Sequence, residues 1–309
     1  MKDYTHAIGE VRDKLLTMGR DEDPALRMAV EKSMAAMAAS VEAAQKFGGV
    51  DVPVLASFGS AYSAESSEAY QAAQGLNRAM AGHGYGGITG GGPGIMEAAN
   101  RGMQAGGGLS MGVNLQLPYE QAANPYVDPK YLVVSPEFGN RMDIMEAPGG
   151  KPVAGVAIFE GGAGTGQEFW DVVGKIRANK LPRIPINVAD REFYDGTRRQ
   201  LDAMVDRGAL SPKVTEYIHY TDSVEAGEEF LVTAAAELAG ERAEWMAQYR
   251  PELVTAAAGF GAAADARPAP ARTRGVTAAG APDRPAPAAE REGPRDAGRS
   301  QEKGPQQGR

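Results

Sequence analysis

A chain of 309 residues without cysteine excludes disulfides, thiolate metal sites and cysteine nucleophiles, and its three scattered histidines (His6, His83, His219) form no metal-ligand cluster. The net charge of −8 is uneven: residues 267–309 hold 8 Arg and 1 Lys against 5 Asp and Glu, a charge of +4, which leaves −12 on residues 1–266. An acidic body argues against broad nucleic-acid binding, no apolar run approaches the roughly 20 residues of a membrane helix, and the opening MKDYTHAIGEVRDK lacks the apolar stretch of a signal peptide; the expectation is a cytoplasmic protein with no nucleic-acid or membrane partner.

Residues 1–47 read as a helical extension, with Met28, Met34, Met37 and Val41 recurring at near-helical spacing until Gly48-Gly49 ends the segment. From Val50 short apolar runs alternate with glycine-rich turns and helical stretches. Strands are expected at Val52–Phe58, Gly86–Thr89, Leu109–Leu115, Tyr131–Val134, Val153–Phe159, Ile184–Val188 and Tyr217–Tyr220. Helices are expected at Ser66–Gly82, Ile95–Ala105, from Gly166 to about Ala178, at Phe193–Arg207, and from Ser223 to about Tyr249. This alternation implies βαβ units, right-handed crossovers and an α/β fold: a doubly wound, mostly parallel sheet with flanking helices spanning residues 48–256. Residues 257–309 are expected to be a disordered tail, because the stretch from Arg267 has seven Pro, no aromatic residue and a single large aliphatic, Val276.

Glycine is in excess, 40 of 309 residues or about 13% against a usual ~7%, and it clusters where strands end. Gly59-Ser60, Gly90–Gly94 and Gly161–Gly166 each follow a predicted strand and precede a helical stretch. Helix N-termini present unpaired N–H groups and partial positive charge, and glycine lets backbone approach a phosphate closely. Two such loops converging on one crevice would bind an anion without a basic surface. Neither has the G-x-G-x-x-G spacing of dinucleotide enzymes. Neither is a P-loop, since Gln167 stands where its lysine would be.

The run Ile88-Thr89-Gly90-Gly91-Gly92-Pro93-Gly94-Ile95-Met96-Glu97-Ala98-Ala99-Asn100-Arg101-Gly102, together with Gly161-Gly162-Ala163-Gly164-Thr165-Gly166-Gln167-Glu168, resembles the LONELY GUY family of nucleoside 5′-monophosphate phosphoribohydrolases, often labelled "lysine decarboxylase-like". Leu117–Gln121 and Asn124-Pro125-Tyr126 look like its longer branch, the nucleotide 5′-monophosphate nucleosidases. The resemblance covers roughly Val50 to Ala239. It implies a Rossmann-like fold, a homodimer or larger assembly, no cofactor, no metal, and cleavage of the N-glycosidic bond of a nucleoside 5′-monophosphate to free base and ribose 5-phosphate. Arg141 matches the family's arginine, whereas Met142 replaces its adjacent lysine and Glu160 its proline before the second glycine motif.

Such chemistry needs a phosphate anchor and a carboxylate near the anomeric carbon. Glu168 suits the carboxylate, placed by the sequence in a first helical turn where the helix dipole favours its ionised form. Gly161, Gly162, Gly164 and Thr165 are the first phosphate contacts, with Gly91, Gly92 and Gly94 as a second set. Arg141 is the second candidate catalytic group, its forked donors suited to phosphate, base or carboxylate. Ser60 reads equally as a ligand contact or a turn residue, Met96 as a ligand contact or core, and Asn124 as a base or ribose contact. Glu160 would weaken phosphate binding unless it points away or pairs with an arginine such as Arg141. A non-catalytic nucleotide-binding or carrier protein is the alternative. A literal lysine decarboxylase lacks a marked pyridoxal lysine, and a single-strand DNA binder conflicts with the acidic body.

Overall fold

The computed structural model describes residues 4–18, 24–117 and 122–253. The chain divides into two units, Met1–Ala264 and Asp265–Arg309; the second, and with it most of the expected tail, lies outside the described residues. Leu117 borders the undescribed stretch 118–121, which holds much of the segment likened to the longer family branch.

Seven strands form one wholly parallel sheet: β1 Val54–Phe58, β2 Gly86–Thr89, β3 Ser110–Leu115, β4 Leu132–Ser135, β5 Gly155–Ile158, β6 Ile186–Ala189 and β7 Ile218–Thr221. Their order is β4-β3-β2-β1-β5-β6-β7. This is the Rossmann-like α/β arrangement expected from the alternation of elements. The central strands are buried along their whole length, as continuous apolar runs in parallel sheets must be. The chain winds outward from β1 to β4, then returns to pair β5 against the other edge of β1, with Ala56 opposite both Ile88 and Val156. Such a reversal leaves a crevice beyond the carboxyl ends of β1 and β5, where open α/β sheets bind ligands.

The helices are α1 Tyr4–Met18, α2 Pro24–Phe47, α3 Glu68–Gly82, α4 Ile95–Ala105, α5 Phe138–Glu146, α6 Ala163–Arg177, α7 Asp195–Asp206, α8 Pro212–Thr215, α9 Val224–Glu237 and α10 Ala239–Tyr249. Ser67 and Ser223 start α3 and α9 by accepting from Tyr70 N and Ala226 N, each at 3.2 Å. Two apolar layers cover the sheet. On one side Val54, Ala56 and Phe58 pack with residues of α2, α5, α6 and α7; on the other Leu55 packs with α3, α4 and Leu231 of α9. That alternation along β1 is the period of two of an extended strand.

The structure changes three sequence expectations. The buried stripe of α2 is Met34, Ala39, Ala43 and Phe47, while Met28 and Met37 are 66% and 41% exposed, because α2 lies along β4 and α5 on a narrower face than the methionines mark. The last helix is two, broken at Leu238: Arg183 holds Glu241 through both carboxylate oxygens at 3.0 Å, and Trp245 Nε1 donates to Asn179 O at 3.4 Å. Helix α5, not anticipated as an element, carries Arg141.

Candidate functional site

The glycine-bearing ends of β1, β2 and β5 meet at the reversal point. Ser60 N donates to Glu160 O at 2.9 Å, and Ser60 O accepts from Ile95 N at 2.9 Å, tying the three turns together. Gly94 caps α4 with φ +66°, and a Cβ there would overlap the backbone of Ser60 and Ala61. Only glycine satisfies both demands. The Ser60 hydroxyl accepts from Tyr62 N at 3.0 Å, so its observed contact is a turn.

Beneath the second loop runs a buried polar network. Thr89 Oγ1 donates to Asn100 Oδ1 at 2.6 Å, and Asn100 Nδ2 donates to Ser110 Oγ and Met111 O at 2.9 and 3.1 Å. Asn124 Nδ2 donates to Gly92 O and Asn100 Oδ1 at 2.9 and 3.0 Å, while its Oδ1 accepts from Tyr126 N. Asn124 therefore braces the glycine loop from behind and is not placed as a base or ribose contact. Gly91 N donates to Thr89 Oγ1 at 2.9 Å, so this N–H already has an acceptor inside the loop. Fully partnered buried amides of this kind hold a loop in one shape.

Arg141 and Glu168 come together, buried, from opposite sides of the crevice. The Arg141 guanidinium crosses over Gly90, where a Cβ would coincide with Nη2, and lies beside the Met96 sulfur. Its Nε donates to Val113 O at 2.9 Å and its Nη1 to Glu168 Oε1 at 3.2 Å, with the two side chains only 8% and 9% exposed. Burial lowers the arginine's pKa, against the pull of Glu168. Burial raises Glu168 to about 7, against the opposing charge and hydrogen bond of Arg141.

This corrects the expected placement of Glu168. Helix α6 begins at Ala163, inside the glycine run, with Gly162 as its cap, so Glu168 is its sixth residue and lies in the second turn. Desolvation outweighs the dipole there, and the carboxyl holds its proton more tightly than a surface glutamate. Gly162 and Gly164 are exposed at the helix start, with Gly166 half-buried behind them, while Thr165 is buried with its hydroxyl against Gly161. The first-turn N–H groups of α6 are the open anion donors.

Glu160 is exposed and does not pair with Arg141, whose carboxylate partner is Glu168. Met142 faces the opposite way from Arg141 and is buried in the core at 1% exposure. Tyr194, unassigned by the sequence, donates to Phe159 O at 2.7 Å and closes the β6 side of the crevice; burial and the carboxylates of Glu168, Glu160 and Asp190 raise its pKa. Nothing in the sequence marks it. Asn100, by contrast, sits within the recognised glycine motif. Among the described residues no group of three or more His, Asp or Glu is placed to hold a metal ion, and no helix is long and apolar enough to cross a membrane.

The fold defines a Rossmann-like α/β protein with a glycine-lined crevice at its reversal point. Residues 96–230 match the family described as possible lysine decarboxylase, a LONELY GUY-like family. No curated protein matches the chain. Among solved structures it is similar to the molybdenum cofactor carrier protein of Chlamydomonas reinhardtii, at 22% identity over 60% of this chain and 99% of that one, with a TM-score of 0.45. It is also similar to the molybdenum cofactor binding protein of the phototrophic bacterium Rippkaea orientalis, at 16% identity over 60% and 98%, with a TM-score of 0.43.

Proposed function

We propose that this chain hydrolyses the N-glycosidic bond of a nucleoside 5′-monophosphate, releasing free base and ribose 5-phosphate. The observation that carries this reading is the buried Arg141–Glu168 pair set beside the exposed start of α6. Phosphate binds the first-turn N–H groups at Ala163–Thr165, and Glu168 lies three to five residues further along, about 4.5–7.5 Å at 1.5 Å per residue. A ribose ring spans that interval. The C1′–N bond breaks with its electron pair leaving on the base, and the ionised Glu168 stabilises the cationic ribose. Water then adds to C1′; Glu168 accepts one of its protons and passes it to the departing base, which restores the carboxylate. Arg141 holds the carboxylate in place and favours its charged form.

The test is incubation with AMP, CMP, GMP and UMP, followed by detection of free base and ribose 5-phosphate. Release from at least one monophosphate, abolished by Glu168→Gln, is the expected result. No base from any of them overturns the reading.

A second reading, a non-catalytic nucleotide-binding or carrier protein, is favoured by the mutual neutralisation of Arg141 and Glu168, which offers a ligand no free charge. A monophosphate bound with micromolar affinity and recovered intact would select it. On either reading the assembly proposed is a homodimer or larger.

A further inference from the structure

The pair that carries the proposed chemistry joins two helices: Arg141 belongs to α5 and Glu168 to α6. A second charged cluster, built around the buried Glu146, joins the same helices further along. Lys175 of α6 donates to Asp143 of α5 at 2.7 Å, pairs with Glu146 of α5, and lies 2.8 Å from Asp171 of its own helix. Lys175 follows Glu168 by seven residues, two helical turns and so on the same face of α6. Asp143 and Glu146 follow Arg141 by two and five.

Helix α5 is short and its charged end needs a partner. It has nine residues, and no side chain caps its start. Its last turn carries Asp143 and Glu146, acids placed at the negative end of a helix dipole, where a cation is favoured instead. Glu146 is 1% exposed, and its Oε1 is buried with no hydrogen-bond partner. Leaving an acid there is costly unless a cation meets it. Lys175 is that cation, and it comes from the helix bearing Glu168.

We infer that Lys175 is a positioning residue: by tying the carboxyl end of α5 to α6 it fixes the slide and rotation of the two helices, and through them sets the Arg141–Glu168 contact. Burial, only partly offset by Lys175, raises Glu146 to about 8, in keeping with a carboxyl held where only one neighbour relieves it. The inference rests on the hydrolase reading only for its effect on rate; the geometry of the pair is a separate readout.

The experiment compares the full-length protein with Lys175→Met and Lys175→Arg. The Nε–H resonance of Arg141, which donates to Val113 O, is identified by its loss in Arg141→Lys and followed by proton–nitrogen correlation spectroscopy. In Lys175→Met this resonance is expected to shift or broaden, with kcat for base release falling about tenfold and KM changing less than twofold. Lys175→Arg should restore both. A folded Lys175→Met protein with an unmoved Arg141 resonance and wild-type kcat overturns the inference. If Lys175→Met does not fold, Asp143→Asn combined with Glu146→Gln removes the α5 half of the tie and is judged by the same readouts. A wild-type protein that releases no base refutes the hydrolase reading, and the resonance then decides this one.

Discussion

Arg141 reaches Glu168 across the crevice with one guanidinium nitrogen, at 3.2 Å, while another is held at 2.9 Å by the carbonyl of Val113 on β3. Among the described residues each side chain is the other's only ion-pair partner, in a site from which water is largely excluded. Arg141→Met should therefore cost about 3–5 kcal/mol of unfolding free energy at pH 8, since it leaves a carboxylate buried and alone. Arg141→Met with Glu168→Leu should recover most of that loss. Urea unfolding checks it, and a double variant no more stable than the single one would contradict the account.

The activity should follow the charge on Glu168. Burial raises this carboxyl to about 7, so it is mostly protonated below that pH and ionised above it. If the ionised form stabilises the cationic ribose, as proposed, kcat should climb through about pH 7 and then level off. Glu168→Gln should lower kcat by roughly 10²–10⁴-fold and flatten the profile. A rate that falls as pH rises through 7 would assign Glu168 the opposite role.

Stability should respond to Glu146 with a definite sign. Its native pKa of about 8 lies above the ordinary 4.5, so the folded state holds the proton more tightly than the unfolded chain. The resulting stabilisation is complete below about pH 4.5 and is lost as pH rises through about 8. Glu146→Gln does not titrate, so relative to wild type it should gain about 1–3 kcal/mol between pH 5 and pH 9. Parallel denaturation curves at the two pH values would show it; a constant difference between the proteins would refute it.

Two glycines of the recognised motifs should behave very differently. Gly94→Ala places a methyl group against the backbone of Ser60 and Ala61 at a positive φ, and should cost on the order of 2 kcal/mol or more. Gly162→Ala meets nothing within 4 Å at an ordinary extended φ of −90°, and should leave the melting temperature within about 2 °C of wild type. Thermal melts of the two variants decide the matter.

Glu160 stands exposed beside the phosphate end of α6 and has no arginine to neutralise it among the described residues. Glu160→Gln should tighten ribose 5-phosphate binding by about two- to fivefold in calorimetry at low salt, an advantage that shrinks as salt screens the charge. Equal affinities would mean that the carboxylate points away from the bound anion.

Much of this was legible in the residues. The apolar runs Val52–Phe58 and Gly86–Thr89 were legible as strands because parallel sheets bury both faces, and α4 starts at Ile95 after Gly94 as expected; the sequence puts the start of α6 at Gly166, three residues late, because the helix begins inside its glycine run. The pairing of Arg141 with Glu168 was not legible. It joins residues 27 apart in sequence, and only the return of the chain past β1 brings them together. Asn124 reads as a base or ribose contact, whereas its amide here holds Gly92 O and Asn100 Oδ1; an amide reads the same in sequence whether it faces a ligand or the back of a loop. Nothing in the sequence marks Glu146 or Lys175. Burial alone sets them apart, and burial is a property of the packed helices rather than of the spacing.

The amino-terminal helix α2 does more than extend the molecule. Phe47 is fully enclosed in the core, Ser40 donates to Asn140 of α5 at 2.7 Å, and Lys46 holds Leu132 O at 2.6 Å. A chain begun at residue 48 would lack one wall of its own interior, and the neighbour torn from that wall would be the helix that presents Arg141. What resembles a detachable handle is thus a foundation, and leverage applied to it would be felt at the crevice.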